Sequence, residues 1–156
     1  MSFKSLTLAA LATAALAMPA FAEINLVDPY ARVSTPTSKN AGAFMIITNS
    51  GDEDDRLVGL KADISARTEM HTHKEVGDGV MKMMEVEEGF VIPAGGEHGL
   101  VRGGDHVMFM GLHNGLSHGD TFPVTFVFEK AGEITIDMTV DLERKPMHGK
   151  KHKHKH

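Results

Sequence analysis

Two stretches of the chain concentrate side chains that bind soft metal ions. One runs Glu69-Met-His71-Thr-His73 and continues to Val80-Met81-Lys-Met83-Met84; the other is Gly103-Gly-Asp-His106-Val-Met108-Phe-Met110. In an extended strand, residues two apart share a face. His106 and Met108 therefore project together, as do His71 with His73 and Met81 with Met83. Imidazole plus thioether is a soft donor set without negative charge, and it suits Cu(I). Hard cations such as Ca²⁺ and Mg²⁺ take oxygen donors instead. Zinc prefers imidazole or thiolate to thioether. Neutral His/Met ligation offers no obvious general acid or base, so the pattern predicts metal binding without catalysis.

The chain contains no cysteine. That excludes a blue-copper centre, which needs a thiolate on the metal. It also excludes thiol redox catalysis and cysteine-ligated zinc. No disulfide is possible, so packing and hydrogen bonds must stabilise the fold. Some of the same residue types have plainer roles. Met45 and Met138 read as core filling, and His98 and His118 as solvated or hydrogen-bonded side chains.

The elements that must position these donors are short strands. Runs rich in Val, Ile, Thr and Phe recur between Gly, Asp, Asn and Pro clusters. Predicted strands are Ile24–Val33, Ala43–Thr48, Arg56–Ala62, Thr68–His73, Val80–Val86, Phe90–Ile92, Gly99–Val101, His106–Leu112, Phe122–Glu129 and Glu133–Leu142. Strict alternation is clearest in Val124-Thr-Phe126-Val-Phe128 and Ile134-Thr-Ile136-Asp-Met138-Thr-Val140. Many short strands separated by turn signals predict a single all-β sandwich or barrel.

The two ends differ from the body. Met1-Ser-Phe-Lys4, the apolar run Leu6–Met18 and Pro19-Ala20-Phe21-Ala22 have the layout of a secretory signal peptide, with cleavage expected after Ala22. The apolar run is shorter than the roughly 20 residues a membrane span needs, so no membrane insertion of the mature chain is expected. This divides the chain into a signal peptide at 1–22, a β-sandwich domain at 23–143 and a tail at 144–156, in a protein destined for the periplasm. All 21 acidic residues but only nine of the 16 basic ones lie in the domain. Such an acidic body argues against nucleic-acid binding. The tail is basic and carries His148, His152, His154 and His156. It lacks the apolar residues to join a core, so it is expected to be disordered.

Taken together, the motifs resemble the periplasmic Cu(I) chaperones often called PCuAC. Asp28-Pro-Tyr30-Ala-Arg32 is similar to the family's opening strand, and Asn40-Ala-Gly-Ala-Phe44-Met-Ile-Ile-Thr-Asn49 followed by Asp54-Asp55-Arg56-Leu57 to its second and third. Glu69-Met-His71, Gly79-Val-Met-Lys-Met83, Ile92-Pro-Ala-Gly95 and Gly103-Gly-Asp-His106-Val-Met108 complete the likeness. The family motif is a His, ten residues, a Met, twenty-one residues, then His-x-Met. Matching the local words gives His71, Met83, His106 and Met108 as Cu(I) ligands. Counting by the family spacing gives His73 and Met84 as alternative partners of the His106/Met108 pair. Strand alternation favours the first set, because Met83 and Met84 must face opposite ways. Met81, Met84 and Met110 would then lie near the ion or on its path in. Arg102 departs from the family, which usually has Pro before the Gly-Gly.

The resemblance implies a cupredoxin-like, Greek-key β-sandwich with copper near one edge. It also implies a recipient: the binuclear copper centre of cytochrome c oxidase subunit II, with a Sco-type thiol partner. General copper buffering or tolerance without a dedicated recipient is the alternative, as is a structural β-sandwich that binds another ligand. In the tail, imidazoles two apart are expected to form a second, weaker site for Cu(II), lost as the histidines protonate near about pH 6.

Overall fold

The computed structural model describes residues 23–146. The expected signal peptide and the four tail histidines lie outside the described residues. Ten strands follow one another: β1 Ile24–Arg32, β2 Asn40–Asn49, β3 Asp55–Lys61, β4 Ser65–Glu75, β5 Met81–Glu85, β6 Phe90–Ile92, β7 Glu97–Leu100, β8 His106–Leu112, β9 Thr121–Phe128 and β10 Gly132–Thr139. Each overlaps a strand expected from the runs of β-forming residues between turn signals. Some ends stop short, as β10 does at Thr139 where Leu142 was expected; others run on, because pairing extends past the last apolar side chain. The hairpin after β4 shows this: Val76 and Val80 still bond across it (2.9 Å). Gly77, Asp78 and Gly79 then turn the chain with positive φ values of 123°, 49° and 74°. Glycine supplies that conformation at little cost.

The strands form two antiparallel sheets. One has the order β1-β2-β8-β4-β5, with β7 also paired to β2; the other has the order β10-β9-β3-β6. Alternation along each strand sends one set of side chains between the sheets. Ala41, Ala43, Met45 and Ile47 of β2, Val107 and Phe109 of β8, and Met70 of β4 meet Leu57, Ile92, Val124, Phe126 and Met138 from the opposite sheet. Met45 and Met138 are fully buried there, as core fillers. Phe109 and Phe122 cross edge to face at 5.3 Å. Among the described residues no helix is long and apolar enough to cross a membrane.

Strands β7 and β8 lie end to end along β2. Met45–Thr48 pair with Glu97–Leu100, and Asn40–Ala43 pair with Val107–Met110. The chain between them makes an excursion closed by Val101 N bonding Asp105 O (2.8 Å) and Gly104 N bonding Val101 O (3.0 Å). This excursion carries the Gly103-Gly-Asp segment that precedes His106.

The C-terminal segment is tied to β1. The Arg32 guanidinium donates to the carbonyls of Asp141, Leu142 and Arg144 (3.3, 2.7 and 3.3 Å). Arg144 lies 4.6 Å over the Tyr30 ring and pairs with Asp28 and Asp141. The division expected between Glu143 and Arg144 therefore falls inside an anchored segment, and Arg144 packs with the domain.

Candidate metal centre

The core alternation decides what the outer face of the six-stranded sheet carries. With Val107, Phe109 and Met70 turned inward, His106, Met108, Glu69 and His71 must turn outward. The register brings them side by side: His71 opposes His106, and Glu69 opposes Met108. On the next strand His73 opposes Met83, whereas Met84 opposes Thr72. Met83 thus shares the outer face with His73, His106 and Met108. Met84 is on the other face, so His73 and Met84 do not meet across one site.

These side chains border an open cavity of about 470 Å³. It is lined by His73, Met83, His106 and Met108, together with Arg32, Val33, Ser34, Asn40, Gly42, Phe44, Arg102 and Gly103. Gly42 sits opposite Met108. A Cβ there would press on the Phe44 ring at 3.1 Å and come within 3.7 Å of Met108 Sδ, so glycine keeps space on this side of the cavity.

The imidazoles are held by named partners. Gly104 O accepts from His106 Nδ1 at 2.8 Å and from His73 Nδ1 at 3.2 Å. One backbone carbonyl therefore places the proton of both rings on Nδ1 and leaves each Nε2 lone pair for a metal. The rings are 5.2 Å apart between centroids. Burial pushes the His106 imidazole below the ordinary histidine range, against the upward pull of its Gly104 hydrogen bond. The neutral, ligating form is favoured accordingly.

His71 lies beside this cavity wall. It is buried, edge-on to His106 at 5.8 Å, with Nε2 donating to Glu69 Oε2 at 2.8 Å. Glu69 is itself held by Arg67 at 3.0 Å. His71 Nδ1 is buried without any hydrogen-bond partner. An orphaned acceptor of this kind costs about 1–3 kcal/mol, and a metal ion would satisfy it.

The remaining candidates separate cleanly. Met81 sits opposite Glu75 near the hairpin turn and is exposed. Met110 is on the outer face two residues beyond Met108, opposite Arg67. His98 stacks on Phe90 at 4.9 Å, with Nε2 3.0 Å from Asp105 Oδ2 but not directed at it as a hydrogen bond. His118 Nδ1 accepts from the Leu142 amide at 3.1 Å. Among the described residues no three His, Asp or Glu side chains are arranged to hold a metal by themselves. The thioethers of Met83 and Met108 are the further donors on this face. Sequence reasoning missed Gly104, Arg32 and Phe44 as parts of the site, and treated Arg102 only as a departure from a motif. The double glycine before His106 was the signal, since such a turn brings backbone close to side chains.

Comparison with known proteins agrees with this architecture. The LpqE-like family model matches residues 24–140. Lxx21020 of Leifsonia xyli subsp. xyli, named as a lipoprotein, is 34% identical over 109 residues, which cover 69% of this chain and only 64% of that relative. The copper-bound PCuAC domain from PmoF2 superposes with a TM-score of 0.62 at 27% identity, over 76% of this chain and 92% of that domain. The solution structure of apo-DR1885 from Deinococcus radiodurans gives 0.57 at 27% identity, over 90% and 91%. The two packed antiparallel sheets are a cupredoxin-like β-sandwich of the same kind.

Proposed function

Since the chain belongs to the LpqE-like family, of PCuAC type, we propose that it is an exported copper chaperone that holds one Cu(I) on the outer face of the six-stranded sheet. The ligands are His71, Met83, His106 and Met108. His73 is a further imidazole at the cavity wall that competes with His71 for the ion. The observation that carries this reading is the shared face: Met83 lies with His106 and Met108 around one open cavity, and Met84 does not. The copper-bound state of the PmoF2 domain supports the choice of metal.

The donors are uncharged and soft, which favours Cu(I) over harder ions. The open cavity lets a second protein bring its own ligands to the metal, so the ion is passed on without being released to water. The recipient on this reading is the binuclear copper centre of cytochrome c oxidase subunit II, with a Sco-type thiol protein as partner. Residues 1–22 direct export to the periplasm. His148, His152, His154 and His156 form a weaker Cu(II) site that collects oxidised copper.

The test is a Cu(I) titration against a chromophoric chelator, comparing the native chain with a His106→Ala, Met108→Ala double variant. Affinity should fall by more than about 100-fold, given that even supporting residues of metal sites cost about 10–100-fold. X-ray absorption should show mixed sulfur and nitrogen scattering. An unchanged affinity, or a shell of nitrogen and oxygen alone, refutes the site.

A further inference from the structure

The cavity holds positive charge that the copper donors do not explain. Arg32 and Arg102 both line it, and no Asp or Glu does. Arg32 is occupied in holding the C-terminal segment. Arg102 is exposed and has no carboxylate within ion-pair distance among the described residues. Its charge is felt at Tyr30, whose ring lies 5.4 Å from that of the cavity-lining Phe44, where it opposes the rise that burial imposes on the phenol. Neutral ligands leave bound Cu(I) its full positive charge. A loaded cavity would then hold a cation and two guanidinium groups with no carboxylate in its lining; Glu69 stands behind His71, and Asp105 beside His106. At a separation on the order of 8 Å and an effective dielectric constant of about 40, one such charge weakens cation binding about fivefold. The space is also generous. At about 470 Å³ it far exceeds the roughly 30 Å³ that one water occupies in the liquid, and falls in the range of small-ligand pockets.

We propose that this cavity is also an anion site: Arg102, with Arg32 behind it, holds one soft monoanion against the copper. The anion is a halide or a thiolate, both negative donors that bind Cu(I) directly. The proposal rests on the copper reading of the same donors and adds the class of molecule that completes the ion's shell. Its consequence for transfer is direct. A thiolate on a delivering or accepting molecule is drawn to Arg102 and bonds to copper as one protein ligand leaves. The metal stays Cu(I) throughout, so no oxidant or reductant is needed.

The experiment uses the full chain loaded with one equivalent of Cu(I), in nitrate and in bromide buffer of equal ionic strength. The variants are Arg102→Gln and, as a control for net charge, Arg56→Gln on the opposite sheet. X-ray absorption reads copper–bromide scattering directly. A small thiol serves as the second probe. Because the chain has no cysteine, any thiol that co-elutes with the copper-loaded protein is the added one. The expected result is that one or both probes are retained by the native chain and by Arg56→Gln, and about fivefold less by Arg102→Gln. In nitrate, Arg102→Gln should bind Cu(I) about fivefold more tightly than the native chain. Retention of neither probe, or equal retention by Arg102→Gln, overturns the anion site while leaving copper binding in place. Failure of the native chain to bind Cu(I) at all is a different outcome, and it overturns the copper reading together with this one.

Discussion

Met83 and Met84 are adjacent, chemically identical and almost equally exposed, at 42% and 41%. Replacing either with Leu removes similar surface, and such swaps usually cost less than about 1.5 kcal/mol of stability. What separates them is the register of β5. Met83 stands opposite His73 on the cavity side, and Met84 opposite Thr72 on the far side. A slip of one residue would exchange the two. The hairpin resists that slip through Val76 N to Val80 O at 2.9 Å on one side and Val86 N to Met70 O at 2.8 Å on the other. Met83→Leu should therefore weaken Cu(I) binding by more than about 100-fold, or about 2.7 kcal/mol. Met84→Leu should change it by less than about threefold, or roughly 0.7 kcal/mol. The assay is competition with a chromophoric Cu(I) chelator, with circular dichroism to confirm that both variants fold. If Met84→Leu loses more affinity than Met83→Leu, the register argument fails and the family spacing was the better guide.

Asp55 is 2% exposed, and its carboxylate accepts the amides of Arg56, Lys130 and Ala131 at 2.7, 2.9 and 2.9 Å. Asp55→Ala leaves these donors without their charged acceptor and should destabilise the domain by about 3–5 kcal/mol; urea unfolding that shows less than about 1 kcal/mol would contradict this. Truncation after Lys145 should abolish Cu(II) uptake and leave Cu(I) affinity unchanged. A truncated chain that still takes up one Cu(II) as tightly as the full chain would move the Cu(II) site into the domain.

Runs of β-forming residues between turn signals were enough to find every strand, and the usual role of methionine on a strand to assign Met45 and Met138 to the core, because these preferences are local. Where one face is buried, alternation adds a period of two. The same period placed His106 with Met108 and separated Met83 from Met84. The absence of cysteine settled the kind of copper chemistry to consider. Pairing lies beyond that local rule. Nothing in the order of residues states that β7 and β8 lie end to end along β2, so the double glycine marked a turn before His106 but not the excursion that lets Gly104 O hold two imidazoles. His73 was likewise ranked below His71, yet His73 lines the cavity while His71 is turned to Glu69. Arg32 and Arg102 lie 70 positions apart in the chain and share one wall only because β1 and the β7–β8 excursion flank β2 in one sheet. Donor types and their faces were thus determined by the sequence alone, through strand periodicity. Which donors converge, and what charge surrounds them, depends on contacts between distant strands, and those were decided by the tertiary structure.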